Sequence, residues 1–225
     1  MRLNLGCGNI RFPTTRDSGV SRPYSYAMPD SCYESDDWVN VDLHPGKAVD
    51  QKVDLFDLPW PWEDNSVDEI WCSHLVEHIP HDLPVTERVR PDNLYKCMKV
   101  DGWYAFFYEA WRVLKPDGLI WVVAPYAFSR GAMAEPTHRR YLVPEAFTYF
   151  EFNRSGDGTY DGYELPYLFK MAEPVLYGIR NQEAVAWTDG LGKWVDQKEW
   201  DRFMFNHINR MEEFCVQLKA IKNGA

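Results

Sequence analysis

The chain has no long apolar run. Nothing in its 225 residues approaches a membrane-spanning stretch. It also shows no apolar leader with a cleavage site, because a strand-like run begins at Arg2, so a cytoplasmic protein is expected. Cysteine is sparse: Cys7, Cys32, Cys72, Cys97 and Cys215 are scattered, odd in number and form no C-x-x-C pair. That pattern argues against a disulfide framework or a zinc module and for reduced thiols; no metal site is expected. Basic residues are outnumbered, 24 Lys and Arg against 34 Asp and Glu, for a net charge of −10. Nucleic acid is therefore a disfavoured partner, since phosphate-backbone affinity draws on Lys and Arg, although a local basic groove around Arg130, Arg139 and Arg140 stays open. There is no internal repeat and no low-complexity segment.

Aromatic residues are abundant at 16%, with ten Trp. Some must fill a core, and so many rings also suggest stacking surfaces or an aromatic-lined pocket. A hydrophobic content of 45% over this length suits one domain of α/β size.

Four runs read as strands: 2–5, 38–42, 68–73 and 119–124, with a further short strand expected at 51–55. The run at 119–124 is nearly continuous apolar, as in a strand covered on both faces of a parallel sheet. Within 94–114, Trp103, Phe106, Phe107, Ala110, Trp111 and Leu114 recur at three- and four-residue spacing, which predicts a helix packed on that sheet. Alternating strands and helices make a right-handed parallel α/β sheet the expected architecture. Segments 10–37 and 80–101 are turn-rich, with Tyr24, Tyr26 and Tyr33 in the first, and read as surface insertions. Further on, 144–152 predicts a short helix opened by its proline, and 155–161 a loop. Residues 174–180 predict a strand and 196–213 a helix with one apolar stripe, and 214–221 predicts an edge strand.

Three positions carry chemistry. Leu5-Gly6-Cys7-Gly8-Asn9 ends the first strand on a glycine turn, where another molecule can approach the backbone closely. Asp42 ends the second strand, where an acceptor-only carboxylate suits a pair of ribose hydroxyls. The separation from Gly6 exceeds the usual ~20 residues because segment 10–37 intervenes. A strand-end acid or helix cap is the plainer reading of Asp42. Asp54-Leu55 follows the third strand and suits an adenine rim, with Asp57 competing for that role and a solvated turn as the alternative.

Together these motifs resemble the class I S-adenosylmethionine-dependent methyltransferases, and most closely the methyltransferase type 11 group. The resemblance is carried by Leu-Asn-Leu-Gly-Cys-Gly-Asn, Val-Asn-Val-Asp-Leu and Trp-Glu-Asp-Asn-Ser-Val-Asp-Glu-Ile. It extends to Ser73-His74-Leu75-Val76-Glu77-His78-Ile79 and Trp111-Arg112-Val113-Leu114-Lys115-Pro116-Asp117-Gly118, and covers about residues 1–125 in order. It implies a three-layer, Rossmann-like sheet, mostly parallel with an antiparallel edge strand. It also implies S-adenosylmethionine as cofactor and transfer of its methyl group. Gly6, Cys7 and Gly8 would pass under the methionine portion, flanked by Leu5 and Asn9. Asp42 would hold the ribose and Leu43 the adenine, with Asp54 and Leu55 at the adenine rim. Ser73 and His74 would lie near the reactive centre. Glu77 and His78 would serve packing or capping as readily as catalysis, and Arg112 to Gly118 would be structural.

The expected organisation is one domain over 1–225. Its cofactor part is 1–125, interrupted at 10–37 and 80–101, and 126–225 carries acceptor-side elements and closing strands. The family's usual helix before the first strand is missing ahead of Arg2, and segment 10–37 is expected to supply a lid in its place. A third glycine in the turn is also lacking, so the first helix is expected to be short or displaced. Acceptor contacts are expected from 125–141 and from the two insertions; within 125–141, His138 would act as base or clamp, or simply hydrogen-bond its loop, and Tyr126 would line the site. His74 and His78 stand four apart, but no third ligand stands at an expected offset. The acceptor is open: a small molecule, a saccharide or a protein side chain is favoured over nucleic acid, and oligomeric state is not legible. Two other functions remain, a non-catalytic module on the same fold and an NAD-dependent oxidoreductase. The latter is disfavoured because the turn is not Gly-x-Gly-x-x-Gly.

Overall fold

A computed structural model describes residues 1–14, 28–83, 101–151, 168–172, 175–180, 183–186 and 211–222. Its centre is a sheet built from β1 (Arg2–Leu5), β2 (Trp38–Asp42), β3 (Gln51–Lys52), β4 (Val67–Ser73) and β5 (Leu114–Pro125). These lie in the order β3-β2-β1-β4-β5, and every neighbouring pair is parallel. The sheet continues through β9 (Met211–Ile221), β7 (Val175–Arg180) and β8 (Glu183–Ala186). β6 (Leu168–Met171) pairs with the far end of β9. Because β9 is antiparallel to β5, β6 and β7, those last two run with the parallel set, and β9 is a reversed strand wedged between them. β8 turns back along β7 as an antiparallel edge.

Two expectations change here. The closing strand is interior rather than at the edge, because β7 and β6 cover its outer side. It also starts at Met211, so the last residues of the expected 196–213 helix are strand; the rest of that segment, and the 155–161 loop, lie outside the described residues. The 51–55 strand shortens to two residues, leaving Asp54 in a turn where its Oδ1 accepts from the Phe56 amide at 2.9 Å.

Strand alternation sorts the side chains into two layers. Leu3, Leu5, Ile70, Cys72, Val122, Ala124, Val216 and Leu218 point into the larger core. Trp38, Trp71, Val123 and Cys215 point the other way, against Phe12, Met28 and Cys32. Cys32 belongs to the one-turn helix α1 (Ser31–Glu34). On the larger side lies α2 (Gly102–Val113), capped by Asp101, whose side chain accepts from the Trp103 amide. Its Trp103, Phe106 and Phe107 pack among Phe147, Phe150 and Phe169, with several ring pairs edge-on. Both faces of the sheet are thus covered, which gives the three layers.

The segment after the glycine turn is not helical as far as Thr14; it is strapped to the sheet. Asn4 and Asn40, paired in register on β1 and β2, sit on the smaller-core face. Asn40 Oδ1 accepts from the Phe12 amide at 2.7 Å and from Asn4 Nδ2 at 3.0 Å. Its Nδ2 donates to the Phe12 carbonyl and to Asp50. Two buried amides therefore replace a helix as the anchor of this segment. Residues 15–27, where the expected lid would lie, are outside the described residues.

Candidate active site

The glycine turn opens at the carboxyl end of β1. Gly6 and Gly8 adopt φ of +65° and +53°, a region that carries a steric cost for any residue with a Cβ. A Cβ on Gly6 would press on Leu75 at 3.3 Å, whereas one on Gly8 would meet nothing within 4 Å and would project into open space. The Gly8 amide donates to Asp42 Oδ2 at 2.8 Å, and the His44 amide donates to Asp42 Oδ1 at 2.9 Å. Both carboxylate oxygens are oriented by backbone, each with a further lone pair to offer.

Three connected cavities surround this turn. One, about 410 Å³, is lined by Gly6, Asp42, Leu43, Asp54, Leu55 and Phe56 among others. Asp57 does not line it. A second, about 400 Å³, lies along Gly6, Cys7, Gly8, Asn9, Ser73 and His74. A third, about 400 Å³, is lined by His74, Glu77, His78, Thr137, His138 and Glu213 among others. Gly6 borders the first two, His74 the last two, and His78 the first and third, so they form one continuous depression at the carboxyl ends of the strands.

Among the expected cofactor contacts, Leu5 does not reach these cavities. Its side chain is fully buried in the larger core, as strand alternation dictates. Tyr126 is a second correction: continuing the alternation of β5, it packs into that core beside Leu142 instead of lining the third cavity. Burial, then Glu145, raises its hydroxyl pKa above the usual range. The Arg140 guanidinium donates to the carbonyls of Ile79 and Pro80 and pairs with Asp101, so it braces the loop.

At the far end of β4 the backbone bends sharply. His74 holds φ of +51°, uncommon for a residue with a Cβ, while its amide donates to the Val123 carbonyl at 2.9 Å. Its Nδ1 lies 3.3 Å from Glu77 Oε1 and its Nε2 3.2 Å from Glu213 Oε1. Burial opposes its charge, but the two carboxylates outweigh burial and lift its pKa to about 9. His74 and His78 do not share a helical face, since only Val76–His78 form a single 3-10 turn.

Sequence reasoning placed Glu77 just past β4 but did not bring His138 and Glu213 to it. The signal was absent locally because the three arrive from separate segments. Backbone bonds hold two of them together: the amides of Arg139 and Arg140 both donate to the Glu77 carbonyl. The Cys7 thiol, beside the turn, is pushed up to about 11 by burial and then by Asp42 and Asp50.

No family model and no curated protein sequence matches the chain. Among solved structures it is similar to a SAM-dependent methyltransferase from Archaeoglobus fulgidus, at 16% identity over 97% of this chain and 85% of that one, TM-score 0.49. It is similar also to the YcgJ protein from Bacillus subtilis, at 14% identity over 99% of this chain and 92% of that one, TM-score 0.49. A third is the N-methyltransferase NodS from Bradyrhizobium japonicum in complex with S-adenosyl-L-homocysteine, at 8% identity over 98% and 78%, TM-score 0.45. The sheet itself decides the architecture: five parallel strands in the order 3-2-1-4-5, then a reversed last strand inserted before the next parallel one. The chain has the three-layer, Rossmann-like, mostly parallel sheet that the class I methyltransferase resemblance implies. Among its described residues no helix is long and apolar enough to cross a membrane.

Proposed function

We propose that the chain is an S-adenosylmethionine-dependent methyltransferase. The observation that carries this reading is the bond from the Gly8 amide to Asp42 Oδ2, which sets a glycine turn and an acceptor-only carboxylate side by side at the ends of β1 and β2. The first cavity suits a nucleoside, with Asp42 accepting from both ribose hydroxyls, the exposed Leu43 and buried Leu55 against the base, and Asp54 at its rim. The second suits the amino-acid portion, passing over Gly6, Cys7, Gly8 and Asn9 toward Ser73 and His74. The open space at Gly8 is the room such a ligand needs.

The cofactor supplies an electrophilic methyl carbon, so the protein's work is chiefly to position an acceptor in line with it. The acceptor would enter through the third cavity, which adjoins the other two at His74 and His78. Its carboxylates (Glu77, Glu135, Glu212 and Glu213) favour a neutral or cationic acceptor over a phosphate-rich one. Calorimetric titration tests the reading: S-adenosylhomocysteine should bind at one site and NAD should not. Binding of NAD alone would move the chain to hydride transfer. S-adenosylhomocysteine binding without methyl transfer from labelled cofactor to any fraction of a lysate would leave a binding module.

A further inference from the structure

The third cavity contains a feature that methyl-group positioning does not require. Glu77 is 1% exposed, and among the described residues neither of its carboxylate oxygens accepts a hydrogen bond. The His74 and His138 nitrogens stand 3.3 Å and 3.9 Å from its Oε1, at ion-pair distance, and Oε2 has neither contact. The ion pair with His74 reaches only Oε1, and a buried carboxylate oxygen left without a partner is costly unless something else meets it.

Two imidazoles face it. His138 Nδ1 lies 2.9 Å from the Ala132 carbonyl oxygen, which can only accept, so that nitrogen carries the proton and Nε2 keeps its lone pair. His78 Nδ1 lies 3.3 Å from the Thr137 carbonyl oxygen and 3.2 Å from the Thr137 hydroxyl. That hydroxyl spends its own proton on Glu135 Oε1 at 2.9 Å, so it too accepts, and His78 Nε2 is left with its lone pair. Fixing the Nδ1 proton on a carbonyl is how metal-bound imidazoles are commonly oriented. The two rings stand 4.9 Å apart, and one ligand atom from each of Glu77, His78 and His138 can be chosen so that all lie within 4.8 Å of one another.

We propose that Glu77, His78 and His138 form a binding site for a divalent first-row transition-metal ion. Two imidazoles and one carboxylate suit such an ion better than magnesium or calcium, which prefer all-oxygen shells. With metal–nitrogen bonds of about 2.1 Å, ligand atoms around a tetrahedral ion lie roughly 3.4 Å apart. The longest separation here therefore closes by at most roughly 1.4 Å, within reach of side-chain rotation. Glu135, Glu212 and Glu213 line the same cavity and add to its pull on a cation.

Three protein ligands leave coordination positions open to the cavity. Resting on the methyltransferase reading, that position would take an oxygen of the acceptor, which makes a hydroxyl-bearing acceptor the favoured class. Coordination would release the hydroxyl proton to solvent water and leave the oxygen pair to bond the methyl carbon, as the carbon–sulfur pair returns to sulfur.

The test uses the full chain freed of metal by a chelator. Titration with Zn²⁺ and Co²⁺ should show one equivalent bound, with cobalt giving visible d–d absorption. His78→Gln and His138→Gln should each weaken Zn²⁺ at least tenfold, and His138→Gln, which lies outside the first two cavities, should leave S-adenosylhomocysteine affinity within twofold. Where a variant fails to fold, cobalt-shifted ring protons of two histidines in the unsubstituted chain serve instead. No binding of either ion at millimolar concentration, or binding unchanged in both variants, overturns the site. S-adenosylhomocysteine binding is read separately: if it fails while the ion binds, the methyltransferase reading falls and the metal site stands.

Discussion

Replacing Asp42 by Asn is the most searching single perturbation of the cofactor reading. The substitution keeps shape and size but turns one acceptor oxygen into an NH2 group. In the free protein each carboxylate oxygen already accepts one backbone amide, from Gly8 at 2.8 Å and from His44 at 2.9 Å. The remaining lone pair on each oxygen is what a ribose hydroxyl would use. An amide nitrogen offers none, so one hydroxyl loses its acceptor and also faces a competing donor. A hydrogen bond to a charged group contributes about 1.5–3 kcal/mol. At 1.4 kcal/mol per tenfold, this weakens binding roughly 12- to 150-fold.

The assay is calorimetric titration of S-adenosylhomocysteine into Asp42→Asn and Asp57→Asn. Asp57 is the built-in control, since it does not line the first cavity whereas Asp54 does. The expected result is a large loss for Asp42→Asn and none for Asp57→Asn. A folded Asp42→Asn protein that binds within threefold of the parent refutes the ribose assignment, and equal losses at both positions refute the geometry of the cavity.

Arg112 donates to both oxygens of the fully buried Glu109 and to the carbonyls of Trp60 and Trp62, so Arg112→Ala leaves a buried carboxylate uncompensated. Urea unfolding should show a loss of about 3–5 kcal/mol, and a loss under ~1 kcal/mol would refute the brace. Cys7, with its pKa pushed up from 9.0 to about 11, has roughly a hundredfold less thiolate at pH 8 than an ordinary thiol. Alkylation of its peptide, followed by mass spectrometry, should be slow at pH 8 and accelerate as pH rises through 11; ordinary rates at pH 8 would refute the burial argument. Asn40→Ala strips partners from the Phe12 amide and carbonyl. It should cost about 2–5 kcal/mol and speed exchange of the Phe12 amide, and unchanged exchange would show that the strap lies elsewhere.

What the sequence revealed and what it hid follow from the range of the interactions. β1, β2, β4 and β5 were legible because each is a short run whose own alternation or continuous apolarity announces it. So was α2, from the spacing of Trp103, Phe106, Phe107 and Ala110. The glycine turn and Asp42 were legible because a backbone conformation and a strand end are local properties. The position of β9 was not: Phe214, Val216, Leu218 and Ala220 all face one core, a pattern that an edge strand shares with an interior one. Only pairing with β6 and β7 distinguishes them, and that is a fact about distant chain. Asn4 and Asn40 are polar residues within apolar strands, and their role appears only when register sets them side by side. The Glu77, His78 and His138 cluster needs residues 60 apart to meet, which no spacing rule anticipates.

His74 sets two of these effects against each other at one position. Its φ of +51° carries a backbone cost, of order 1–2 kcal/mol for a residue with a Cβ. Against that, its ring stands between Glu77 and Glu213, which would otherwise face each other across the cavity. Removing the ring exposes their repulsion whichever residue follows, so both His74→Ala and His74→Gly should be less stable than the parent. The two should differ in a reversed sense. Ala is normally the more stabilising of the pair because it restricts the unfolded chain, by about 0.4–1 kcal/mol. At a positive φ the folded-state cost of the Cβ exceeds that gain, so His74→Gly should be more stable than His74→Ala by up to about 1.5 kcal/mol. Urea unfolding of both variants measures the order directly. If Ala proves the more stable, the bend at the end of β4 is not held in the left-handed region, and the three cavities do not meet at His74 as described.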